Sequence, residues 1–423
     1  MNVYYFARRI GLLLAACALS GPTFAQGALT EQESVRRGLA RPDLAASIEA
    51  TLDVARGEVT EAGRWANPTL SLQRESIGTD KGRSVERTYQ LSQQFDVAGK
   101  RGLRRGAAQQ RLGATLADTE QRRRELAGDI RTRYYEALYR QQLVAAGAEW
   151  ERRMSAIAQT VDKLHKGGDV AGYDRRRIAL ELASVQTRRS VEKAHYDKVR
   201  SQLGAIIGET NGETNGETNG ETNGVARLDG ELLPPDAPPL EAMLAQLAAL
   251  PALRALDQRA GAFELDRQAA NREWIPDVTI GVGPRIESTP LSRERGNTVS
   301  VSLPLPLFDR KQGGRQKAAA QSAAARSEAN LLRARMEGDL RGVWQQARQL
   351  GAAARAYREH AGIASQDLVR IAEASYRGGE SGILELLDAY RAAFEADSRA
   401  WELAWNARQA AIELDTIAGS TTP

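Results

Sequence analysis

Apolar and polar residues alternate in four short stretches of the chain. In residues 69–77 (TLSLQRESI), Leu70 and Leu72 alternate with Thr69, Ser71 and Gln73. In residues 85–97 (VERTYQLSQQFDV), Val85, Tyr89, Leu91, Phe95 and Val97 share one parity, and Glu86, Thr88, Gln90, Ser92 and Gln94 the other. Val278, Ile280 and Val282 repeat the pattern, as do Val299, Val301, Leu303, Leu305 and Leu307 against Ser300 and Ser302. Successive side chains on a strand point to opposite faces, so each stretch predicts a strand with one apolar and one polar face. The polar segments GTDKGRS and ESTPLSRERG read as the loops joining each pair. At about ten residues, each strand has the length that crosses a bilayer at a tilt.

After each strand pair the period changes. No proline occurs from about residue 100 to 165, nor from 310 to 376. Leu332, Met336, Leu340, Val343, Ala347 and Leu350 step by threes and fours, as one face of a helix requires. About 65 residues at 1.5 Å each predict a rod of roughly 100 Å. The rods end at glycine pairs, Gly167–Gly168 in HKGGDVAGYD and Gly378–Gly379 in YRGGESGILELLD. A second helix then returns, marked after Gly379 by Ile383, Leu387, Tyr390, Phe394, Trp401 and Trp405. The glycines therefore read as hairpin tips, since they accept the backbone reversal that ends a helix.

The chain is written twice. WANPTLSL returns as WIPDVTIGV, QQFDVAGKRG as LPLFDRKQGG, and the first glycine tip as the second; Pro68, Phe95 and Gly168 map to Pro276, Phe308 and Gly379. The domains expected are a signal peptide (1–25), a first repeat (26–207), a flexible GETN-repeat and Pro-rich linker (208–239) and a second repeat (240–423). Four strands cannot close a barrel, and an open sheet edge cannot stand in lipid. Three copies would supply twelve strands. Trp65 and Trp274, each just before a strand, would lie at the membrane interface or pack at the helix–strand junction.

Composition narrows the reading. Low aromatic content with many charges suits long helices better than a thick core. The first residues carry Arg8 and Arg9, then IGLLLAACAL and a small-residue exit ending at Ala25, the pattern of an export signal. Cys17 is the only cysteine, so no intrachain disulfide forms; its LAAC context resembles a lipobox, making lipidation of Cys17 the alternative to cleavage after Ala25. The formal net charge of +4 is small beside 58 basic and 54 acidic residues, which argues against nucleic acid. His165, His195 and His360 show no metal-ligand spacing, and no catalytic or phosphate-loop motif is present, so no enzyme, cofactor or bound metal is expected.

Over nearly its whole mature length the sequence resembles the TolC-like outer-membrane factors (outer membrane efflux proteins). DVAGKRG and LPLPLFDRKQG look most like the CzcC-type branch for heavy-metal cation efflux. The resemblance implies an α+β membrane protein: a homotrimer whose strands form a twelve-stranded barrel in outer-membrane lipid, continued by a helical tunnel in the periplasm. It implies two further partners, a periplasmic adaptor docking at tip glycines Gly167, Gly168, Gly378 and Gly379, and an inner-membrane RND pump. It also implies a periplasmic entrance lined by Glu385 and Asp388, with Tyr376 in the closed gate; Asp174 is the counterpart of Glu385 in the first repeat. A gate-locking Arg of the family corresponds here to Ser381, and one entrance Asp to Glu385. The expected function is passive export of cargo, heavy-metal cations or alternatively organic compounds. The rival from another class is a periplasmic coiled-coil adaptor, which needs no amphipathic strands.

Overall fold

The computed structural model describes residues 28–80, 82–168, 170–209 and 227–419. The expected signal peptide, Cys17 and nearly all of the GETN units lie outside the described residues. The first half of the chain forms α1 (Glu31–Leu39), α2 (Pro42–Gly63), β1 (Thr69–Thr79), β2 (Gly82–Phe95), α3 (Lys100–Gly167) and α4 (Gly172–Ile207). The second forms α5 (Leu240–Gln246), α6 (Pro251–Arg272), β3 (Val278–Ser288), β4 (Arg293–Ser302), α7 (Gln312–Arg377) and α8 (Ile383–Ala418). The long helices have 68 and 66 residues and the returning helices 36 each, as the prolineless stretches and glycine pairs predict. Not anticipated are α2 and α6, 22 residues each, which precede the strand pairs and begin with proline, a residue whose missing N–H costs nothing at a first helical position.

The four strands form one antiparallel sheet in the order β1-β2-β3-β4. Leu70 pairs with Leu91, Leu91 with Val282 and Val282 with Val299, so the expected apolar parities join on one face. That face is bare in the single chain: Leu72 is 67% exposed and Val299 72%. Two expectations need correction. The segments read as loops are mostly strand, since β1 runs to Thr79, β2 starts at Gly82, β3 runs to Ser288 and β4 starts at Arg293. And β4 stops at Ser302, short of Leu303, Leu305 and Leu307, because Pro304 and Pro306 have no N–H for the ladder.

Sheet and rods meet at two similar junctions. Before α3, Asp96 accepts the backbone N–H groups of Ala98 (3.2 Å) and Arg101 (2.6 Å), and Gly99 turns the chain at φ 68°. Before α7, Asp309 accepts the N–H of Lys311 (2.8 Å), and Lys311 itself takes the left-handed turn at φ 59°. Lys100, almost wholly buried here, lies 2.8 Å from Asp277 and donates to the Ile275 carbonyl (3.0 Å), tying the start of α3 to the chain entering β3.

No single core holds the rods. The sheet-side part of α3 packs on α6, where Arg104 reaches Glu273 (2.7 Å), and its tip-side part packs on α4, where Arg140 reaches Glu192 (2.8 Å). Buried side chains gather in three clusters: at mid-length around Tyr134 and Leu203, beside it around Leu253 and Leu340, and near the tips around Trp150 and Leu387. Residues 227–239, expected as flexible linker, instead form a packed strap. Leu228, Leu232 and Leu233 are buried, and Leu228 bridges Leu29. An extended proline-rich strap leaves carbonyls unpaired, and side chains answer them: Trp344 donates to Pro238 (2.8 Å), and Arg408 to Leu232 (2.9 Å), Glu231 (2.6 Å) and Leu233 (2.9 Å). Arg408 also stacks 4.3 Å from the Tyr135 ring.

Replacing Arg408 with Met leaves three carbonyls without their donor. The expected loss is about 3 kcal/mol, measured by chemical unfolding of the detergent-solubilised protein followed by helical circular dichroism; an unchanged midpoint contradicts it.

Candidate functional site

The tips of the two hairpins pack against each other, because Trp150, Met154, Val161 and Ile178 of the first bury against Val369, Ile383, Leu387 and Tyr390 of the second. Trp150 meets Tyr390 and Phe394 edge-on, with ring centroids 5.4 and 5.6 Å apart. At the first tip, Gly168 (φ 88°) stops α3, and its N–H donates to the His165 carbonyl (3.1 Å). His165 Nδ1 contacts the Val170 carbonyl (2.9 Å), a role in the turn itself. Asp162 clasps the turn through Lys166 (2.7 Å) and Arg175 (2.9 Å). At the second tip, Gly379 (φ 74°) does what Gly168 does, while Gly378 stays in ordinary helical space at φ −76°. The N–H of Glu380 closes the turn on the Ser375 carbonyl (2.9 Å).

The four expected entrance residues lie at the tip ends of α4, α7 and α8. Asp174 and Glu385 occupy the same place in their repeats, three residues after the caps Ala171 and Gly382, in the first turns of α4 and α8. A carboxylate there faces the partial positive end of the helix, which is a structural reason for both. Glu385 folds back over Gly382 so closely that a β-carbon on residue 382 would lie 2.9 Å from its Oε2. Asp388 is exposed on the next turn. One helical turn further, Arg391 grips Glu181 of α4 (Nε to Oε1 2.9 Å); that carboxylate, then Asp388, hold its guanidinium charged. Tyr376 is half-buried; burial, and then the nearby Asp174 carboxylate, push its hydroxyl above the ordinary range. The structure thus sets Tyr376 near Asp174 across the repeats, and Glu385 and Asp388 are exposed on α8. Among the described residues the buried Ser381 Oγ has no hydrogen-bond partner. Among the described residues no group of three or more His, Cys, Asp or Glu is arranged to hold a metal ion.

A second charged feature lies in the sheet, half of it in the segment 287–296 that reads as a loop from sequence. Glu75 pairs with Glu86, Glu86 with Glu287, and Glu287 with Glu294, a row of four carboxylates across the polar face. Arg285 on that face donates to Glu86 (2.7 Å) and lies 3.7 Å from Glu287. Each strand contributes one Glu beyond its alternating core, a signal that becomes visible only once the register is known.

Two long helical hairpins carrying an amphipathic four-stranded sheet are a fold shared with solved outer-membrane channels. Residues 245–420 match the family model described as outer membrane efflux protein, which bears out the resemblance read from the sequence and agrees with an outer-membrane location. The chain is 26% identical over 293 residues to the nickel-cobalt-cadmium resistance protein NccC of Alcaligenes xylosoxydans xylosoxydans, covering 67% of this chain but 62% of that one. It is 24% identical over 378 residues to the cobalt-zinc-cadmium resistance protein CzcC of Cupriavidus metallidurans, covering 87% and 84%. The outer membrane protein VceC of Vibrio cholerae has the same fold, with a TM-score of 0.73 at 17% identity over 92% of this chain and 96% of that one. Efflux, not catalysis, is the activity that the family's description names.

A β-carbon at Gly168 or Gly379 would meet nothing within 4 Å, so only the positive φ resists substitution. Gly168→Ala and Gly379→Ala should each destabilise its tip by about 1 kcal/mol, seen as severalfold faster amide exchange there. Gly378→Ala should exchange as the wild type does.

Proposed function

We propose that three copies of the chain close their sheets into one twelve-stranded barrel and conduct heavy-metal cations passively across the outer membrane. The observation that carries this is the sheet itself, which has a bare apolar face and two unpaired edges, β1 and β4. Hydrocarbon satisfies neither backbone N–H nor C=O, so β4 of one copy must pair with β1 of the next until the sheet closes. Among the described residues no helix is long and apolar enough to cross a membrane, which leaves the spanning to the strands. The paired rods then extend the lumen into the periplasm, where their tips meet an adaptor and, through it, an inner-membrane pump. The two repeats and the segment between them, 26–207, 208–239 and 240–423, are the units of this duct.

Cations are the favoured cargo on charge. In a closed trimer Glu75, Glu86, Glu287 and Glu294 become a ring of carboxylates facing the water, and such rings favour cations. Glu385 and Asp388 with Asp174 repeat that sign near the tips, and Tyr376 narrows the way between the hairpins. The metal-resistance names of NccC and CzcC agree with that sign.

Two measurements test this. The purified protein in detergent should have the mass of a trimer and open ion-conducting pores in planar bilayers; a monomer without conductance contradicts the proposal. Glu385→Gln with Asp388→Asn should lower the cation-over-anion permeability ratio severalfold at low salt, where such charges act least screened. An unchanged ratio removes the entrance role from these two residues.

A further inference from the structure

The register that aligns the four glutamates also aligns arginines on the opposite face. Arg74 of β1 pairs with Arg87 of β2, Arg87 with Ile286 of β3, and Ile286 with Arg295 of β4. These positions share parity with Leu70, Leu91, Val282 and Val299, so the row lies on the apolar face, not the polar one. Beyond it, Arg293 follows at the pairing of Ser288, and Arg83 at the pairing of Gly78. Within the described residues none of the five arginines has an ion pair or side-chain hydrogen bond, whereas Arg285 on the polar face is held by Glu86. Like charges directly opposite in an antiparallel pair repel, and Arg74 faces Arg87 without a counter-charge. An apolar sheet face crossed by unpaired guanidinium groups calls for an anion from outside the chain.

The height of the row says which anion. Phe95, at the end of β2 that leads into α3, packs against the ring of Trp65 (6.2 Å), which marks one edge of the apolar band. Arg87 lies eight residues further along the same strand. At about 3.3 Å per residue that is roughly 26 Å of strand, or about 20 Å of height at a tilt near 40°, close to the roughly 25 Å of a barrel's apolar band. The row therefore sits where hydrocarbon gives way to headgroups at the end remote from the rods. Guanidinium forks bind phosphate oxygens in pairs, which a choline or ethanolamine group does not invite.

We propose that Arg74, Arg87 and Arg295, with Arg83 and Arg293 beyond them, form a belt that docks the phosphate groups of membrane lipid headgroups around the outward end of the barrel. This rests on the barrel reading above. Three copies repeat the row around the whole circumference. The belt then fixes the depth of the barrel in the leaflet, and each docked phosphate relieves the repulsion between Arg74 and Arg87.

The test uses the full-length protein reconstituted in phosphatidylcholine bilayers containing either bisphosphorylated lipid A or its dephosphorylated form. Lipid retained through purification is counted by native mass spectrometry, and conductance is recorded on the same samples. The wild type should retain the phosphorylated lipid preferentially. Arg74→Gln/Arg87→Gln/Arg295→Gln should retain it roughly tenfold less while conducting like the wild type. The corresponding triple Lys variant should keep part of the binding, and Arg285→Gln should keep all of it. Equal retention of both lipids by the wild type overturns the belt, as does wild-type retention by the Gln variant. Inorganic phosphate should displace the retained lipid better than chloride at matched ionic strength; displacement by both alike makes the attraction unselective for phosphate and overturns the belt. If the Gln variant does not assemble, the wild-type comparison decides alone. A wild type that does not conduct sinks the barrel and the belt together; a conducting wild type indifferent to lipid phosphate sinks only the belt.

Discussion

An unpaired strand edge in hydrocarbon is the constraint from which the rest of this structure follows. Each unmet N–H or C=O costs several kcal/mol where no water is at hand. A single chain presents two such edges, β1 and β4, together with an apolar face that nothing covers. In the assembly proposed above, pairing between copies would close the edges and lipid would take the face. The helices leave the sheet at Asp96–Gly99 and Asp309–Lys311, where a carboxylate takes up the first free amides and a left-handed residue redirects the chain.

Below the sheet the energetics change character. The rods are joined by small buried clusters and a dense set of Arg–carboxylate pairs, most of them exposed to water. Exposed pairs contribute little each, about 0–1 kcal/mol, so they set register between helices more than they add stability. The stronger polar contacts are buried at mid-length, where Arg408 and Tyr134 meet the carbonyls of the packed strap and of Leu29. Toward the tips the turns are held by local bonds around Gly168 and Gly379, by the Asp162 ion pairs and by the apolar contact between the two hairpins.

Much of this was legible in the sequence, for identifiable reasons. Period-two alternation at Leu70, Leu91 and Val282 and the threefold-fourfold stepping of α7 are one-dimensional patterns, and the glycine tips break them at matched positions. What escaped depends on pairing. The polar strand ends 78–79, 82–84, 287–288 and 293–296 look like loops until a neighbour is known to lie beside them. The α2 and α6 helices carry weak apolar faces, and the strap 227–239 has a proline-rich composition that disguises how tightly Leu228, Leu232 and Leu233 are buried. At the tips, the family resemblance suggested an entrance, and only coordinates show that Tyr376 lies near Asp174 across the repeats.

The mid-length cluster has a consequence for the birth of the molecule. Arg131 of α3 bonds Asp415 near the end of α8 (2.9 Å), and Leu29, Ile130, Leu203 and Ile412 bury together. Residues from the beginning, middle and end of the chain thus complete one another. The first half cannot finish its interior while the second is still being delivered, so a new chain waits, incompletely folded, for its final helix. Contacts so remote in sequence make folding slow, and that delay is when the bare strands are most exposed to mispairing.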